Sequence, residues 1–406
     1  MYIKLAFKNI LRNKARTLIT LGAISFGCIS LIITGGFMED SFTQMREGYI
    51  RGFLGHIQVY KQGYLDEGAS RPFDYMIPEP SRVIEGISAI EHVKRVTPRL
   101  EFSGLLSTGE TTVSFFAQGI DPDAENEIST LFLMDEGERL SGGDDYQIIV
   151  GRGLAKGVGS KAGDPLIVLT NTKAGALNAL DVTLKGVFFT TSKEFDDRAV
   201  RMPLKTAQRL LHTDEVLSIV VLLDDTSATD AVRARIDGFI KKEGLGLETR
   251  AWHELADFYT KTVELYRRQF LVIKLIIGIV VILSVFNTMN MSVLERVGEV
   301  GTIMALGTKR HGVLALFITE GLALGLLGGA LGLAGGYLLA NVISYIGIPM
   351  PPPPGTTTYW TARISIVPEV FAFSFVLAVA TSVISSIYPA LKASRLEIAD
   401  ALRHNI

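Results

Sequence analysis

The chain has 406 residues, 48% of them hydrophobic and 20% charged, with a mean hydropathy of +0.31, a mixture that fits a membrane protein carrying a large water-soluble part. The net charge of −2 is unevenly spread: residues 39–268 hold 27 Lys and Arg against 36 Asp and Glu, and the remainder holds 13 against 6. An acidic soluble part beside a basic membrane part excludes nucleic acid as the partner, and the single cysteine, Cys28, excludes a disulfide framework or a Cys-based metal site.

Residues 1–16 carry Lys4, Lys8, Arg12, Lys14 and Arg16 with no acid, and Ile3, Phe7, Ile10 and Leu11 recur at helical spacing. This pattern predicts a basic amphipathic helix on the inner leaflet. Residues 17–38 follow as a first membrane helix, uncharged from Leu18 to Phe37 and long enough to cross a bilayer. The rival reading is a cleaved signal peptide, but the apolar run is too long and further spans follow.

Residues 39–268 read as a mixed α+β domain, expected in two lobes with the second inserted near 109–202. Strands are expected at 55–60, 111–118, 147–150, 165–170, 184–189 and 217–223 from alternation or short apolar runs. Helices are expected at 82–93 and 228–242, and 252–268 reads as a stalk helix running into the next span.

Residues 269–292 form the second expected membrane helix, apolar apart from Lys274, which can snorkel from near one end. Residues 293–312 are polar and have the makeup of a short cytoplasmic helix. Glu295, Arg296 and Glu299 open it; Val297, Val300, Ile303, Met304 and Leu306 fall close to helical spacing, so one face can bury itself; Gly307 followed by Lys309, Arg310 and His311 is a stop signal with cations at the C-terminal end. Residues 313–346 are read as one long third span, glycine-broken or tilted. It carries two four-residue glycine series, Gly321, Gly325 and Gly329, and Gly328, Gly332 and Gly336. Such series let another helix approach closely. Residues 347–366 are a proline-rich loop, 367–389 the fourth span and 390–406 a tail.

Basic residues collect in the N-terminal arm, the 295–311 segment and the tail, so the positive-inside rule places both termini in the cytoplasm and the acidic domain outside. The fold class is then an α-helical membrane protein of four transmembrane helices with a large extracytoplasmic α+β domain inserted between the first and second. No catalytic constellation, metal-ligand spacing or Walker A motif is visible; Gly157–Gly163 lacks the Walker spacing and the Lys-Ser/Thr pair. Glu320 lies two turns into the third span, where an intramembrane carboxylate is a functional candidate; its place near a helix N-terminus favours a structural role. Arg296 and Glu299 are spaced to pair at i, i+3, and an exposed pair of this kind contributes under ~1 kcal/mol.

The run Glu295-Arg-Val-Gly-Glu-Val-Gly-Thr-Ile-Met-Ala-Leu-Gly307 resembles the coupling-helix signature of FtsX/MacB-type ABC transporter permeases. Pro389–Arg395 with Ala401-Leu-Arg403 resembles their C-terminal signature, and Val150–Ala155 with Gly163-Asp164 a stretch of their outer domain. Gly35-Gly-Phe37, Gly55–Val59 and the Met350–Gly355 loop look most like the LolC/LolE lipoprotein-releasing branch. The resemblance implies a multi-pass inner-membrane permease with no cofactor and no catalytic site of its own, ATP and Mg being bound by a separate dimer of ATPase subunits. Glu295, Arg296, Glu299, Gly301, Ala305 and Gly307 would couple to that ATPase, and the six glycines would pack the helices. It further implies a second permease copy or paralogue, contact with membrane lipid, a lipoprotein cargo and a periplasmic carrier or adaptor, with force transmitted mechanically rather than substrate passed through a pore. A MacB-type exporter of peptides or amphiphiles, and an FtsX-like regulator of a cell-wall hydrolase, are the alternatives.

Overall fold

The computed structural model describes residues 12–68, 71–351, 360–397 and 401. Most of the expected N-terminal amphipathic helix, much of the proline-rich loop and Leu402-Arg403 of the C-terminal signature lie outside them. The chain divides into two compact units, one of residues Met1–Phe42, Val263–Pro349 and Thr361–Ile406, the other of Thr43–Thr262 and Met350–Trp360.

Four helices are long and apolar enough to cross a membrane, Lys14–Leu54, Asp257–Glu295, Arg310–Ile346 and Pro368–Ser394. At about 1.5 Å per residue, ~20 residues cross the hydrocarbon layer, so the first three run well past it. The first ends in a π-helical turn, Ile50–Leu54. The third is continuous despite its glycines. Half of its most apolar window is buried (50%), against 17% for the second helix, so the third is the central member. Around it pack Ile24 and Cys28 of the first helix, Val285 and Met289 of the second, its own Phe317 and Leu324, and Ala378 and Ala390 of the fourth. A short helix, Val297–Ala305, follows the second span and inserts Val300 into this core.

The other unit is built on one ten-stranded mixed sheet. Its strands are β1 (Ile57–Lys61), β2 (Val93–Ser107), β3 (Thr112–Ile120), β4 (Leu133–Gly137), β5 (Gln147–Gly151), β6 (Pro165–Asn171), β7 (Leu177–Phe189), β8 (Ala199–Pro203), β9 (Ser218–Leu223) and β10 (Leu247–Ala251). They run in the order β10-β1-β9-β2-β3-β8-β5-β7-β4, with β6 pairing β2 and β7. The β3–β8 and β5–β7 pairs are parallel.

Where two lobes were expected there is a single sheet with two main apolar cores. One core gathers Ile57, Val59 and Ile219 with Val83 and Ile87 of the helix Pro80–Ser88 and Val232 and Ile236 of the helix Thr229–Glu243. The other gathers Leu100, Phe115, Ile148, Val168 and Leu184 with Leu154 and Leu210. Strand β2 joins them, because its 15 residues are shared. Residues Val93–Arg99 pair with β9, and Arg99–Ser107 pair with β3.

Arg99 stands at the changeover and is fully buried with Arg201 and Glu125. Its Nε and Nη2 donate to Glu125 at 3.1 and 2.5 Å, and its Nη1 donates to the Phe53 carbonyl in the π turn. Arg201 donates to Gln118 Oε1 at 3.1 Å and to Ser129 Oγ at 3.2 Å. Burial alone would raise the Glu125 carboxyl, but Arg99 and Arg201 hold it below the ordinary carboxylate range.

A second buried polar contact fixes the start of β1. The Leu223 amide donates to His56 Nδ1 at 3.1 Å. The imidazole proton is therefore on Nε2, which donates to Thr226 Oγ1 at 3.0 Å, and that hydroxyl donates to Glu47 Oε1 at 3.0 Å. Burial pushes His56 down to about 4.

Candidate functional site

The short helix Val297–Ala305 forms for local reasons. Arg296 breaks from the second span with φ −116° and ψ 18° and serves as its N-cap residue. At the other end the Thr308 amide donates to the Ile303 carbonyl at 3.2 Å and the Gly307 amide to the Met304 carbonyl at 3.0 Å. Gly307 has φ +99°. That is a Schellman stop, whose left-handed residue favours glycine.

Of the six residues singled out on this segment, three form an ion network and three do not. Glu295 accepts from Arg16 Nη1 at 2.9 Å, from a second Arg16 nitrogen and from Asn13 at 3.3 Å. Glu299 accepts from Arg12 and, at 3.2 Å, from Arg296 Nε. Arg296 also donates through Nη1 to Glu320 Oε2 at 3.1 Å, and its guanidinium lies 5.3 Å from the Phe317 ring centroid. Gly301 is buried on the packed side of the helix, whereas Ala305 and Gly307 are exposed beside Leu306, which was expected on the buried face and is 83% exposed, past the last helical residue. The short helix thus has an anchored face and an apolar, open C-terminal end.

Treating Arg296 as half of an exposed pair understated it. Its side chain is 10% exposed, that of Glu320 is 7% and that of Glu299 is 42%. The Arg296–Glu320 contact is therefore the buried one and joins the short helix to the third span. Burial alone would raise Glu299, but hydrogen bonds from Arg12 and Arg296 hold its carboxyl below the ordinary range. The partners Arg12 and Arg16 were not foreseen, though a signal existed: both the arginines and the acids Glu295 and Glu299 are spaced by four, so two matched pairs can face each other across two helices.

The six glycines divide by face. A Cβ at Gly321 would stand 2.6 Å from Ser386 Oγ, one at Gly325 2.9 Å from Ser382 Cβ, and one at Gly329 2.9 Å from the Phe375 ring. All three neighbours belong to the fourth helix. A Cβ at Gly328 would stand 2.8 Å from Ile24, one at Gly332 3.2 Å from Cys28 Sγ, and one at Gly336 2.7 Å from Ile32. Those belong to the first helix, whose Ser25 hydroxyl also donates to the Gly328 carbonyl at 2.9 Å. One series per partner allows the third helix to lie close to both.

Residues 17–239 match the family model of the MacB-like periplasmic core domain, and residues 271–398 that of the FtsX-like permease C-terminal region. The lipoprotein-releasing system transmembrane protein LolC of Xylella fastidiosa is 24% identical over 77% of this chain and 78% of its own length. The macrolide export ATP-binding/permease protein MacB of Brucella abortus is 26% identical over 98% of this chain, which spans 60% of that protein. The periplasmic region of MacB from Actinobacillus actinomycetemcomitans, a solved structure, is 17% identical over 53% of this chain and 95% of its own, with a TM-score of 0.38. With one family model covering more than half of the sequence and the other most of the rest, the chain is a multi-pass membrane protein that belongs to the FtsX/MacB superfamily of ABC transporter permeases, with LolC- and LolE-like relatives.

Proposed function

We propose that this chain is the permease subunit of a mechanotransmission ABC transporter that extracts lipoproteins from the inner membrane, driven by ATP hydrolysis on separate ATPase subunits. The observation that carries the reading is the short helix Val297–Ala305, pinned through Arg296 and Glu299 while Ala305 and Leu306 stay open. A helix held on one face and apolar at its free end can accept a push from a docked motor without losing its own position. Both termini and this helix would face the cytoplasm, the sheet-bearing domain would lie outside, and a second permease copy or paralogue would complete the transporter. ATP and Mg would sit on the motor, and a periplasmic carrier would take the cargo.

A MacB-type exporter is the second reading, favoured by the match to a macrolide exporter over nearly the whole chain. Affinity purification of the tagged full-length chain from its host's membranes in mild detergent, followed by mass spectrometry, separates the two. An ATPase with lipidated proteins supports lipoprotein extraction. An ATPase with a periplasmic adaptor and no lipoproteins moves the assignment to export. Absence of any ATPase refutes the docking role of the short helix.

A further inference from the structure

Lys274 lies in the second long helix, Asp257–Glu295, four residues after Phe270, where the apolar run begins. Four residues are about 6 Å of helix. Long helical side chains lean towards the helix N-terminus, and the Lys274 ammonium follows this rule: Nζ lies 4.5 Å from the centroid of the Phe270 ring one turn back. It also lies 4.4 Å from the ring of Phe373, near the start of the fourth helix, Pro368–Ser394. The charge therefore sits between two rings on two helices, at the end of the span where Arg267 and Arg268 mark the polar boundary.

The slot is built rather than incidental. The Phe270 ring is packed where a Cβ at Gly35 of the first helix would stand 3.1 Å away, so the missing side chain makes room for it. Phe373 is 42% exposed, and Leu271 and Leu275, flanking Lys274, are 57% and 60% exposed, so the seam is open on the outside of the helical unit. Two aromatic faces stabilise a cation but accept no full hydrogen bonds. The three ammonium donors have no carboxylate within ion-pairing distance among the described residues, Glu369 included, although it lies one turn before Phe373 on the same helix. A cation near a span end without a protein counter-ion snorkels to the headgroup layer, where it can pair with an anion from outside the chain. With the ammonium drawn back to Phe270, two residues past Arg268, the anion available in a bilayer is a phospholipid phosphate.

We infer that Lys274, Phe270 and Phe373 form a binding site for the phosphate of an anionic phospholipid on the lipid-facing seam between the second and fourth spans. The ammonium donates to phosphate oxygens, the rings hold it at headgroup depth, and the acyl chains run along Leu271 and Leu275. The site is independent of which cargo the transporter moves and of whether an ATPase docks.

The test uses the full-length chain, reconstituted in vesicles of equal parts phosphatidylglycerol and phosphatidylcholine, extracted in mild detergent and examined by native mass spectrometry. The wild type is expected to retain phosphatidylglycerol in preference to phosphatidylcholine. Lys274→Met, which keeps length and makes the span more apolar, is expected to lose about tenfold of that preference, the effect of one charge-assisted hydrogen bond. Lys274→Arg should keep it and Phe373→Leu should weaken it. Equal retention in wild type and Lys274→Met overturns the inference. So does displacement of the lipid by inorganic phosphate, which would make the site one for a soluble anion. So does self-cross-linking of Lys274→Cys in the membrane, which would mean that a second copy covers the seam.

Discussion

Replacing Glu320 with Leu should release the short helix from the third span. The change leaves Arg296, 10% exposed, with a buried guanidinium that has lost its Oε2 acceptor at 3.1 Å. Removing one partner of a buried ion pair is destabilising by about 3–5 kcal/mol. The lower end applies here, because Arg296 keeps its bond to Glu299 at 3.2 Å and its place against Phe317. About 3 kcal/mol corresponds to a hundredfold change in local opening, at ~1.4 kcal/mol per factor of ten. Hydrogen exchange read by mass spectrometry on the purified full-length chain measures this at the amides of residues 297–305. Glu320→Leu should accelerate them about a hundredfold while the sheet amides stay unchanged. The double variant Arg296→Met with Glu320→Leu fills the same space with apolar atoms and should exchange within about tenfold of the wild type, since buried pairs are often replaceable together. Unchanged exchange in the single variant, or equal loosening in single and double, refutes the argument that this pair anchors the helix.

Other consequences are direct. Glu299→Lys places a third cation beside Arg12 and Arg296; membrane insertion should persist while ATPase binding or stimulation, measured on the co-purified complex, is lost, and unchanged values for both would remove Glu299 from the docking reading. Gly325→Val drives a side chain into Ser382 and Val379 and should destabilise the helix bundle by about 1–3 kcal/mol, whereas Gly278→Ala, where a Cβ meets nothing within 4 Å, should be neutral or slightly stabilising; thermal melts in detergent compare the two. His56 has its folded value pushed down from 6.5 to about 4, so the unfolded chain binds the proton first as pH falls. Its contribution, on the order of 3 kcal/mol, is complete above pH ~6.5 and lost as pH falls towards ~4. His56→Gln should flatten the acid limb of melting temperature against pH, and an unaltered slope would refute the assignment.

The membrane helices were legible because lipid demands long apolar runs, and the short helix because its stop at Gly307 is written in local residue types. Strand β2 was not. Pro98 and Gly104 interrupt it, and both residues ordinarily argue against a strand interior. In the fold Pro98 sits beside Ile219 of β9 immediately before the β3 pairing begins at Arg99, and a Cβ at Gly104 would stand 2.8 Å from the Phe115 ring. The two apparent breakers thus mark where β2 changes partners and where a neighbour presses in. With β2 in place between β9 and β3 the sheet is one, where two lobes had been expected. The ion network was hidden for a different reason. Arg12 and Glu299 are 287 residues apart; the matched four-residue spacings allow two pairs to meet, but only packing brings those two helices together.

Taken together, the contacts of the helical unit make the third span its hub. It meets the fourth helix through Gly321, Gly325 and Gly329, the first through Gly328, Gly332 and Gly336, and the short helix through Glu320. The second span is held differently. It touches the first where Thr20 and Thr288 share a hydroxyl contact at 2.6 Å and where Ile277 and Val281 face Gly27, and only 17% of its most apolar window is buried. Its end at Glu295 is one residue from the short helix, and that residue, Arg296, leaves helical geometry. In the proposed transporter, a force on the short helix has two routes: through the buried pair into the hub, where glycine-close packing resists displacement, and through the Arg296 break into the least buried of the four spans. The second span is where such a force would produce motion, and the hub is what it would move against.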